Sequence, residues 1–297
     1  MNNNAEELAQ QLSEHADYVI VRKLHPVTSY NAEPATNVRR ALLVDVETTG
    51  LSYANDAIIE LGVILFTYNA DNGHVLDVLA SESWFDDPGR PIPEAVVKLT
   101  GITDADVAGQ RIDETRLQQL AVDVGLIIAH NASFDRPFID RKFPFLADKH
   151  WGCSMADVPW QARNIGSHKL EYLLYAHTKM FLDTHHRALD DCRATLHVLA
   201  TPFADEATPL QLLLENCRTQ RVRIAAVRSP FETKDVLRQR GYGWSGDDGK
   251  PAKTWCKEVL SADRDAEVQW LREHVYANLL GQPLVEKVDL RRRYSAG

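Results

Sequence analysis

The sequence predicts an α/β protein in which a mixed sheet is flanked by helices and followed by a small α+β module. Three strand-like apolar segments come first, at 41–47, 57–69 and 73–85. Alternating helical and strand patterns then continue to about residue 205, which is typical of a layered α/β domain. A second series of strand, helix, hairpin and helix patterns, over 218–297, predicts the α+β module.

Before the first apolar strand, residues 5–16 favour a helix, 17–24 favour a strand, and 26–38 carry two prolines typical of a connector. The pair Asn72-Gly73 predicts a hairpin turn between the second and third strands. The segments 93–103 and 113–125 have helical spacing. A buried strand over 126–129 is expected to run into a polar loop that ends at Asp135. Further helices are predicted over 136–143, 167–178 and 190–203.

A bridging helix is predicted over 204–220. Beyond it, 221–227 favours a strand, 231–241 a helix, and the segment from Tyr242 to Val259 a hairpin. The last predicted helix covers 261–280 with Ser261 as its N-cap. These patterns divide the chain into an extension, a large domain, a linker helix and a small module, with bounds 1–37, 38–205, 206–217 and 218–297.

Composition limits the class of protein. The 297 residues are 44% hydrophobic and 25% charged, which is typical of a soluble globular protein of one large domain or two unequal ones. The start of the chain lacks the pattern of a signal peptide, and no apolar run approaches 18 residues. The four cysteines are far apart and form no CxxC pair, which argues against a zinc site or a disulfide framework. We therefore expect a cytoplasmic protein with reduced thiols and no membrane contact.

Two acidic residues stand inside the first apolar strand. In "ALLVDVETTGL" (41–51), Asp45 and Glu47 are two residues apart and therefore point to the same face of the strand. Adjacent carboxylates near a core are costly unless something neutralises them. A proton, a basic partner or a bound divalent cation would each do so.

Two later segments add chemistry of the same kind. "AHNASFD" places Asn131, Phe134 and Asp135 after a buried strand, and "HHRALDDCRAT" places His186 five residues before Asp191, just ahead of a helix. A purely structural explanation would have to bury four acids from three separate elements. Carboxylate oxygens are instead the ligands that Mg²⁺ prefers.

Together the motifs "VDVETTGL", "IIELGVILF", "LTGIT", "AHNASFD" and "HRALDDCRAT" resemble the DEDDh family of 3′–5′ exonucleases, and the resemblance covers about 41–200. It implies a ribonuclease H-like fold. It also implies that His186 is the general base and that the four metal-binding acids are Asp45, Glu47, Asp135 and Asp191. A second frame, His185 with Asp190, has the same spacing; the family pattern His-x-Ala-x-x-Asp favours His186. The chain departs from the family's His-Gly-Ile-type loop at 99–102, where it has Leu-Thr-Gly-Ile.

The chemistry expected of such a site uses two Mg²⁺ ions, and Mn²⁺ suits the same ligands. Asp45 would bridge the ions, Glu47 and Asp191 would complete the site that activates water, and Asp135 would hold the second ion near the leaving 3′-oxygen. His186 would take the proton from the attacking water, because imidazole titrates near neutrality.

The resemblance also suggests substrate contacts around this centre. Thr48, Thr49 and Leu51 would meet the 3′-terminal nucleotide through backbone amides and an apolar wedge, while also forming the turn at Gly50. Phe134 would either stack on a base or belong to the core. Asn131 would either orient the substrate or tie its own loop.

The charge is distributed unevenly along the chain. Residues 1–217 carry 17 basic and 31 acidic side chains, a net charge of −14, whereas 218–297 carry 16 and 11, a net charge of +5. The basic module interleaves cations with Tyr242, Trp244 and Trp255, which suits a single-stranded nucleic acid but also the core of a small module. We expect Trp244 and Trp255 to be core residues. The residues expected to contact a nucleic-acid backbone are Arg238, Arg240, Lys250 and Lys253.

The sequence thus predicts a metal-dependent 3′–5′ exonuclease that releases nucleoside 5′-monophosphates from single-stranded or frayed DNA. One alternative is a 3′–5′ exoribonuclease that trims RNA or degrades oligoribonucleotides, because no residue reads the 2′-hydroxyl unambiguously. The other is a non-catalytic nucleic-acid-binding subunit with a vestigial acidic site. The expected partner is a nucleic acid, with single-stranded DNA 3′ ends favoured over RNA, and the oligomeric state is not predicted.

Overall fold

The structure is a computed structural model that describes residues 3–32, 34–183, 186–245, 254–276 and 281–295. The chain forms two compact units, residues 1–214 and 215–297. The division falls inside a helix, Pro209–Arg218, in the segment predicted as a linker. The functions assigned to the sequence-predicted domains stay predictions.

The first unit contains, in order, α1 (Asn3–Ser13), β1 (Arg22–Lys23), β2 (Val38–Thr48), β3 (Ile58–Asn69), β4 (Val75–Phe85), α2 (Glu94–Thr100), α3 (Asp104–Val107), α4 (Glu114–Leu120), β5 (Val124–Ala129), α5 (Ala132–Lys142), β6 (His150–Cys153), α6 (Leu170–Thr178), β7 (Met180–Phe181) and α7 (Ala188–Ala200). Helix α8 (Pro209–Arg218) follows at the boundary between the units.

A five-stranded mixed sheet lies at the centre of this unit, with the order β4-β3-β2-β5-β6. Strands β2, β3 and β4 are antiparallel neighbours, and β5 and β6 run parallel to β2. The predicted hairpin turn joins β3 to β4, and Gly73 has the positive φ of 74° that a glycine tolerates best. The predicted mixed sheet flanked by helices is confirmed.

The burial of the strands explains why this sheet forms. Nearly every residue of β3 is buried, as are the apolar residues of β5 and those of β2 from Ala41 onwards, which is expected for inner strands with helices on both faces. The edge strand β4 alternates between more and less buried residues. The strongest apolar strands of the sequence are therefore the innermost ones.

Two local predictions for this unit differ from the structure, and some short elements were not predicted. The strand expected over 17–24 is reduced to the two residues of β1, whose only partner strand among the described residues is the equally short β7. The loop expected to end at Asp135 ends instead at Asn131, because α5 begins at Ala132. Strands β6 and β7 and the single-turn helix α3 were not predicted; α3 begins at a Thr103–Asp106 capping box after α2.

The second unit contains β8 (Arg221–Ala226), α9 (Lys234–Gln239), β9 (Gly243–Ser245), β10 (Thr254–Leu260), α10 (Arg264–Leu271) and β11 (Leu284–Lys287). Its antiparallel sheet has the order β11-β8-β10-β9. One face of this sheet packs on α9 and α10 around a core that includes Ile224, Leu237 and Leu271. Strand β11 was not predicted.

Two predictions for the second unit are wrong. Ser261 opens a 3-10 turn over 261–263, and the N-cap position of α10 belongs to Asp263. Trp244 is 53% exposed instead of lying in the core, because it sits on the edge strand β9. Trp255 does pack against the core, and Tyr242 is buried within it. Lys250 and Lys253 lie outside the described residues.

Among the residues that the structure describes, no helix is both long and apolar enough to cross a membrane.

Candidate active site

Strand β2 extends beyond the end of its pairing with β5, and the first two acids lie on this extension. The last pair between β2 and β5 joins Leu43 to Ile128, so the β2 backbone that follows pairs with none of the described strands on that side. Asp45 and Glu47 lie on this stretch, both half-buried. The N–H of Val46, between them, donates to the Oδ1 atom of Asp135 at 3.1 Å. The Asp135 carboxylate thus accepts the hydrogen bond that the backbone of a neighbouring strand would otherwise accept.

Helix α5 brings Asp135 to that position. Asn131 has φ 73° and ψ 51°, the left-handed conformation that asparagine adopts more readily than most residues. This turn starts α5 immediately after β5, and Asp135 falls in the first turn of the helix, where it is buried. A carboxylate near a helix N-terminus is favoured by the helix dipole.

Helix α7 brings Asp191 against the sheet, and a glycine makes this possible. Gly62 of β3 lies opposite Asp45 in the strand pairing. A Cβ atom at Gly62 would stand 2.4 Å from the carbonyl carbon of Ala188, the first residue of α7. The N-terminus of α7 therefore rests directly on the β3 backbone, and Asp191 in its first turn comes close to the acids of β2.

His186 lies in the segment just before α7 and has a left-handed φ of 56°. One ligand atom from each of Glu47, His186 and Asp191 can be chosen so that all lie within 4.8 Å of one another. All three side chains are half-buried. The structure thus brings together β2 and the segment around the start of α7, which are about 140 residues apart in the sequence.

Burial and mutual repulsion act strongly on the four acids. Burial is the main cause that raises the pKa of Glu47 and of Asp135 to about 8, and the pKa of Asp191 to about 7. The pKa of Asp45 is raised well above its ordinary value by burial and then by the charges of Asp135, Asp191 and Glu47. These four carboxylates are therefore electrostatically linked, with Asp45 at the centre.

The donor set fits a divalent cation. The four carboxylates offer the hard oxygen ligands that Mg²⁺ and Mn²⁺ prefer, and the His186 imidazole lies beside them. The same carboxylates resist ionisation when nothing balances their charges, so a cation would offset both the repulsion and the proton uptake. The residues present fit the metal that the sequence resemblance implies.

Glu60, a fully buried acid beside the four, was missed by the sequence analysis. It pairs with Glu47 across β2 and β3, yet its side chain is only 1% exposed. Its carboxylate accepts hydrogen bonds from Nε and Nη2 of Arg187 (both 3.1 Å), from the Ala188 N–H (3.2 Å) and from the Ser83 hydroxyl (2.8 Å). Glu60 therefore fixes the segment that joins His186 to α7. A glutamate inside the apolar run "AIIELGV" was the signal that could have found it.

His130 lies between β5 and the turn that starts α5. Its Nε2–H donates to the carbonyl of His168 (2.9 Å), so Nδ1 accepts from the Ser154 hydroxyl (2.7 Å). Burial lowers the pKa of His130 to about 4, which keeps the ring neutral. This histidine ties the end of β5 to two later loops.

The turn after β2 uses its threonine side chains internally. The Thr48 hydroxyl donates to the Gly50 carbonyl (2.7 Å), and the Thr49 hydroxyl lies 2.9 Å from Nη2 of Arg90. Both threonines are buried, whereas Leu51 is 87% exposed. The turn-forming role of Thr48 and Thr49 is thus visible, and Leu51 is the residue of this group that presents a side chain to solvent.

The remaining predicted residues have mixed positions. Asn131 is exposed and forms the turn before α5, and Phe134 is half-buried with its ring 5.2 Å from that of Phe138. Asp190 points to Arg193, at 2.7 Å, along the same helix. The competing residue His185 lies outside the described residues. Substrate contacts by Asn131, Phe134, Thr48, Thr49 and Leu51 stay predictions.

The sequence model of one protein family, described as RNase_T: Exonuclease, matches residues 42–199, which is more than half of the chain. The chain belongs to the exonuclease family. Exonucleases of this family typically bind divalent metal ions. The matched residues begin within β2 and end within α7, so they contain all four acids and His186.

The chain is also similar to larger curated proteins. It is 36% identical over 159 residues to DNA polymerase III PolC-type from Listeria innocua, and 34% identical over 167 residues to the protein of the same name from Clostridium perfringens. These matches cover 52% and 54% of this chain but only 10% and 11% of the relatives. The chain therefore matches about a tenth of the length of those relatives.

Two solved structures are also similar. One is Exonuclease X in complex with 5′-overhanging duplex DNA, at 24% identity and a TM-score of 0.40, covering 58% of this chain and 99% of that one. The other is E. coli Exonuclease I in complex with a dA16 oligonucleotide, at 16% identity and a TM-score of 0.47, covering 86% and 66%.

Proposed function

We propose that residues 38–205 form a DEDDh-type 3′–5′ exonuclease domain that hydrolyses single-stranded or frayed DNA to nucleoside 5′-monophosphates. The observation that carries this proposal is the convergence of Asp45, Glu47, Asp135 and Asp191 from β2, α5 and α7, beside His186. Membership of the exonuclease family supports the reaction class. The DEDDh type rests on these five residues.

Two divalent cations would be held by the four carboxylates, and Asp45, which is repelled by each of the other three, would contribute to both ions. When bound, such ions lower the pKa of water and neutralise charge on the phosphate and on the leaving oxygen. Burial of the ligands strengthens this effect, because charges interact more strongly away from bulk water.

His186 would accept a proton from the attacking water, since it lies within 4.8 Å of Glu47 and Asp191 on the half-exposed side of the cluster. Its position depends on the segment that Glu60 and Arg187 hold. The exposed side chain of Leu51 would pack against the terminal nucleotide, and the turn after β2 would keep it in place.

DNA is the proposed substrate because the similar segment of the curated relatives belongs to proteins named DNA polymerase III. Bound cations would offset the charges of the four acids, so that a phosphate could approach a site that otherwise repels it. The 3′–5′ direction follows from the DEDDh assignment.

The test is a digestion of matched single-stranded DNA and RNA of one sequence, labelled at either end, with Mg²⁺ or EDTA. Asp191→Ala and Asp190→Ala make a matched pair, because they remove neighbouring carboxylates from the same helical turn. Asp190 is already engaged by Arg193, whereas Asp191 faces Glu47 and His186.

We expect mononucleotide release from the 3′ end of DNA, its loss in EDTA and in Asp191→Ala, and its retention in Asp190→Ala. Preference for RNA would keep the mechanism and overturn the substrate. If the folded protein cleaved neither the DNA nor the RNA, the enzymatic proposal would be overturned and a non-catalytic binding subunit would be favoured.

A further inference from the structure

Aromatic and basic side chains alternate along one side of the second unit. The Lys234 ammonium lies 4.2 Å from the centre of the Phe231 ring, and the Arg238 guanidinium lies 5.9 Å from the centre of the Trp255 ring. The Trp255 ring in turn meets the Trp244 ring edge to face, with centroids 5.5 Å apart. We call Phe231, Lys234, Arg238, Trp244 and Trp255 the aromatic–basic strip.

The geometry of α9 and of the β9–β10 hairpin makes the strip continuous. Lys234 and Arg238 are four residues apart in α9 and therefore lie on one side of that helix. Trp244 and Trp255 are directly opposite each other in the antiparallel pair and therefore share one face. Arg238 joins the two groups through its contact with Trp255.

The exposure of the strip is unusual for such large rings. Phe231 is 75% exposed and Trp244 is 53% exposed, whereas Trp255 packs against the core from the same sheet face. Trp255 thus anchors the strip. Trp244, at the sheet edge, and Phe231, just before α9, present apolar ring surface to solvent. Core packing accounts for Trp255 but not for these two.

The chemistry of the strip selects a polyanion with flat apolar groups. Exposed rings stack on bases, and neighbouring cations attract phosphates. Arg238 also pairs with Asp235 at 3.4 Å, but both side chains are well exposed and such pairs are weak. The net charge of +5 over residues 218–297 adds a general attraction for a polyanion.

We propose that the aromatic–basic strip is a second nucleic-acid site, which binds a single strand by stacking bases on Trp244 and Phe231 and by holding phosphates at Lys234 and Arg238. This site is distinct from the acidic cluster of the first unit. It relies on the proposed function only in the choice of DNA as the probe.

The test measures the affinity of the full chain for a fluorescent 15-nucleotide oligothymidylate by anisotropy, in EDTA so that no hydrolysis occurs. Trp244→Ala is compared with Leu284→Ala, which removes an exposed apolar side chain from β11 at the opposite edge of the sheet. Arg238→Ala is compared with Arg264→Ala, which removes an exposed arginine from α10.

We expect Trp244→Ala to weaken binding at least about fivefold, and Trp244→Tyr to restore most of it, because stacking contributes about 1–3 kcal/mol per base. Arg238→Ala should lower the slope of log affinity against log salt by about 0.7, the value for one phosphate on a single strand. Leu284→Ala and Arg264→Ala should bind like the parent.

Equal affinities for Trp244→Ala and Leu284→Ala would overturn the proposal. So would a Trp244→Ala protein whose lost affinity Trp244→Tyr does not recover, since that result would indicate a structural role. Cleavage of a dinucleotide with Mg²⁺ reports on the acidic cluster separately. If the parent cleaves the dinucleotide normally but Trp244→Ala and Leu284→Ala bind the oligothymidylate equally well, the second site is refuted and the proposed function is not.

Discussion

Replacing Glu60 by glutamine tests whether a buried carboxylate outside the proposed ligand set holds the site together. Both oxygens of Glu60 accept hydrogen bonds, from Arg187, the Ala188 N–H and the Ser83 hydroxyl. Each oxygen faces at least one N–H group of Arg187, which can donate but not accept. The amide of a glutamine would turn a donor towards at least one of these donors. Glu60→Gln therefore breaks part of the connection between β3 and the start of α7.

The size of the effect follows from the burial of each partner. A hydrogen bond to a charged group contributes about 1.5–3 kcal/mol, and a buried N–H left without an acceptor costs about 1–3 kcal/mol. The Arg187 side chain is 42% exposed and can be rehydrated, so its share is smaller. We expect a loss of about 2–3 kcal/mol. At about 2–4 °C per kcal/mol for a unit of this size, the melting temperature falls by roughly 4–12 °C.

A matched control is available in the same sheet. Arg116 binds Glu82 of β4 through Nε and Nη2, and the Arg116 side chain is also 42% exposed, but Glu82 is 27% exposed. Glu82→Gln should cost less than about 1 kcal/mol, because water reaches both partners of this pair and can replace most of what is lost. Thermal melts and initial rates of nucleotide release, measured well below both melting temperatures, compare the two variants.

Glu60→Gln should also lower kcat at least about tenfold, because His186 and Asp191 flank the segment that Glu60 anchors. Glu82→Gln should keep the parental rate. If the two variants had melting temperatures within 1 °C of each other and equal rates, Glu60 would not anchor this segment and our reasoning would be wrong.

Three further predictions concern the same site. Without metal, the melting temperature should fall as the pH rises from about 5 to 8, because the raised pKa values of Glu47 and Asp135, about 8, make the folded state keep protons that the unfolded chain releases. Calorimetry in EDTA would contradict this if the melting temperature rose over that range. Gly62→Ala should lower the free energy of unfolding in urea melts by about 1–3 kcal/mol, because the added Cβ would overlap the Ala188 backbone. An unchanged urea midpoint would refute the close approach of α7 to β3. His186→Ala should lower kcat about 10²–10⁴-fold with an unchanged melting temperature, and a loss below threefold would remove it as the base.

Local patterns were sufficient to predict the centre of the fold. The apolar runs of β2, β3 and β5 and the Asn72-Gly73 turn are visible in sequence because buried strands need continuous apolar residues and tight turns need special backbone angles. The acids of β2 were noticeable because charge is rare in such a run. Their convergence with the later acids was supplied by the family resemblance.

Features that depend on tertiary contacts were not predicted. Glu60 is recognisable as a partner of Arg187 only once the approach of α7 to β3 is known. The start of α5 at Ala132 depends on the left-handed turn at Asn131, which sequence spacing does not reveal. Trp244 was misplaced because its exposure is decided by the edge position of β9, a property of strand order.

The most direct test of the metal site is anomalous diffraction from crystals soaked with Mn²⁺ and a nucleoside 5′-monophosphate, collected for the parent and for Asp45→Asn. We predict manganese peaks within about 2.0–2.4 Å of carboxylate oxygens of Asp45 and its neighbours in the parent. We also predict that these peaks disappear or weaken strongly in Asp45→Asn. A fully soaked parent crystal without manganese at Asp45, or an Asp45→Asn crystal with undiminished peaks, would contradict the assignment of these acids as the catalytic metal site.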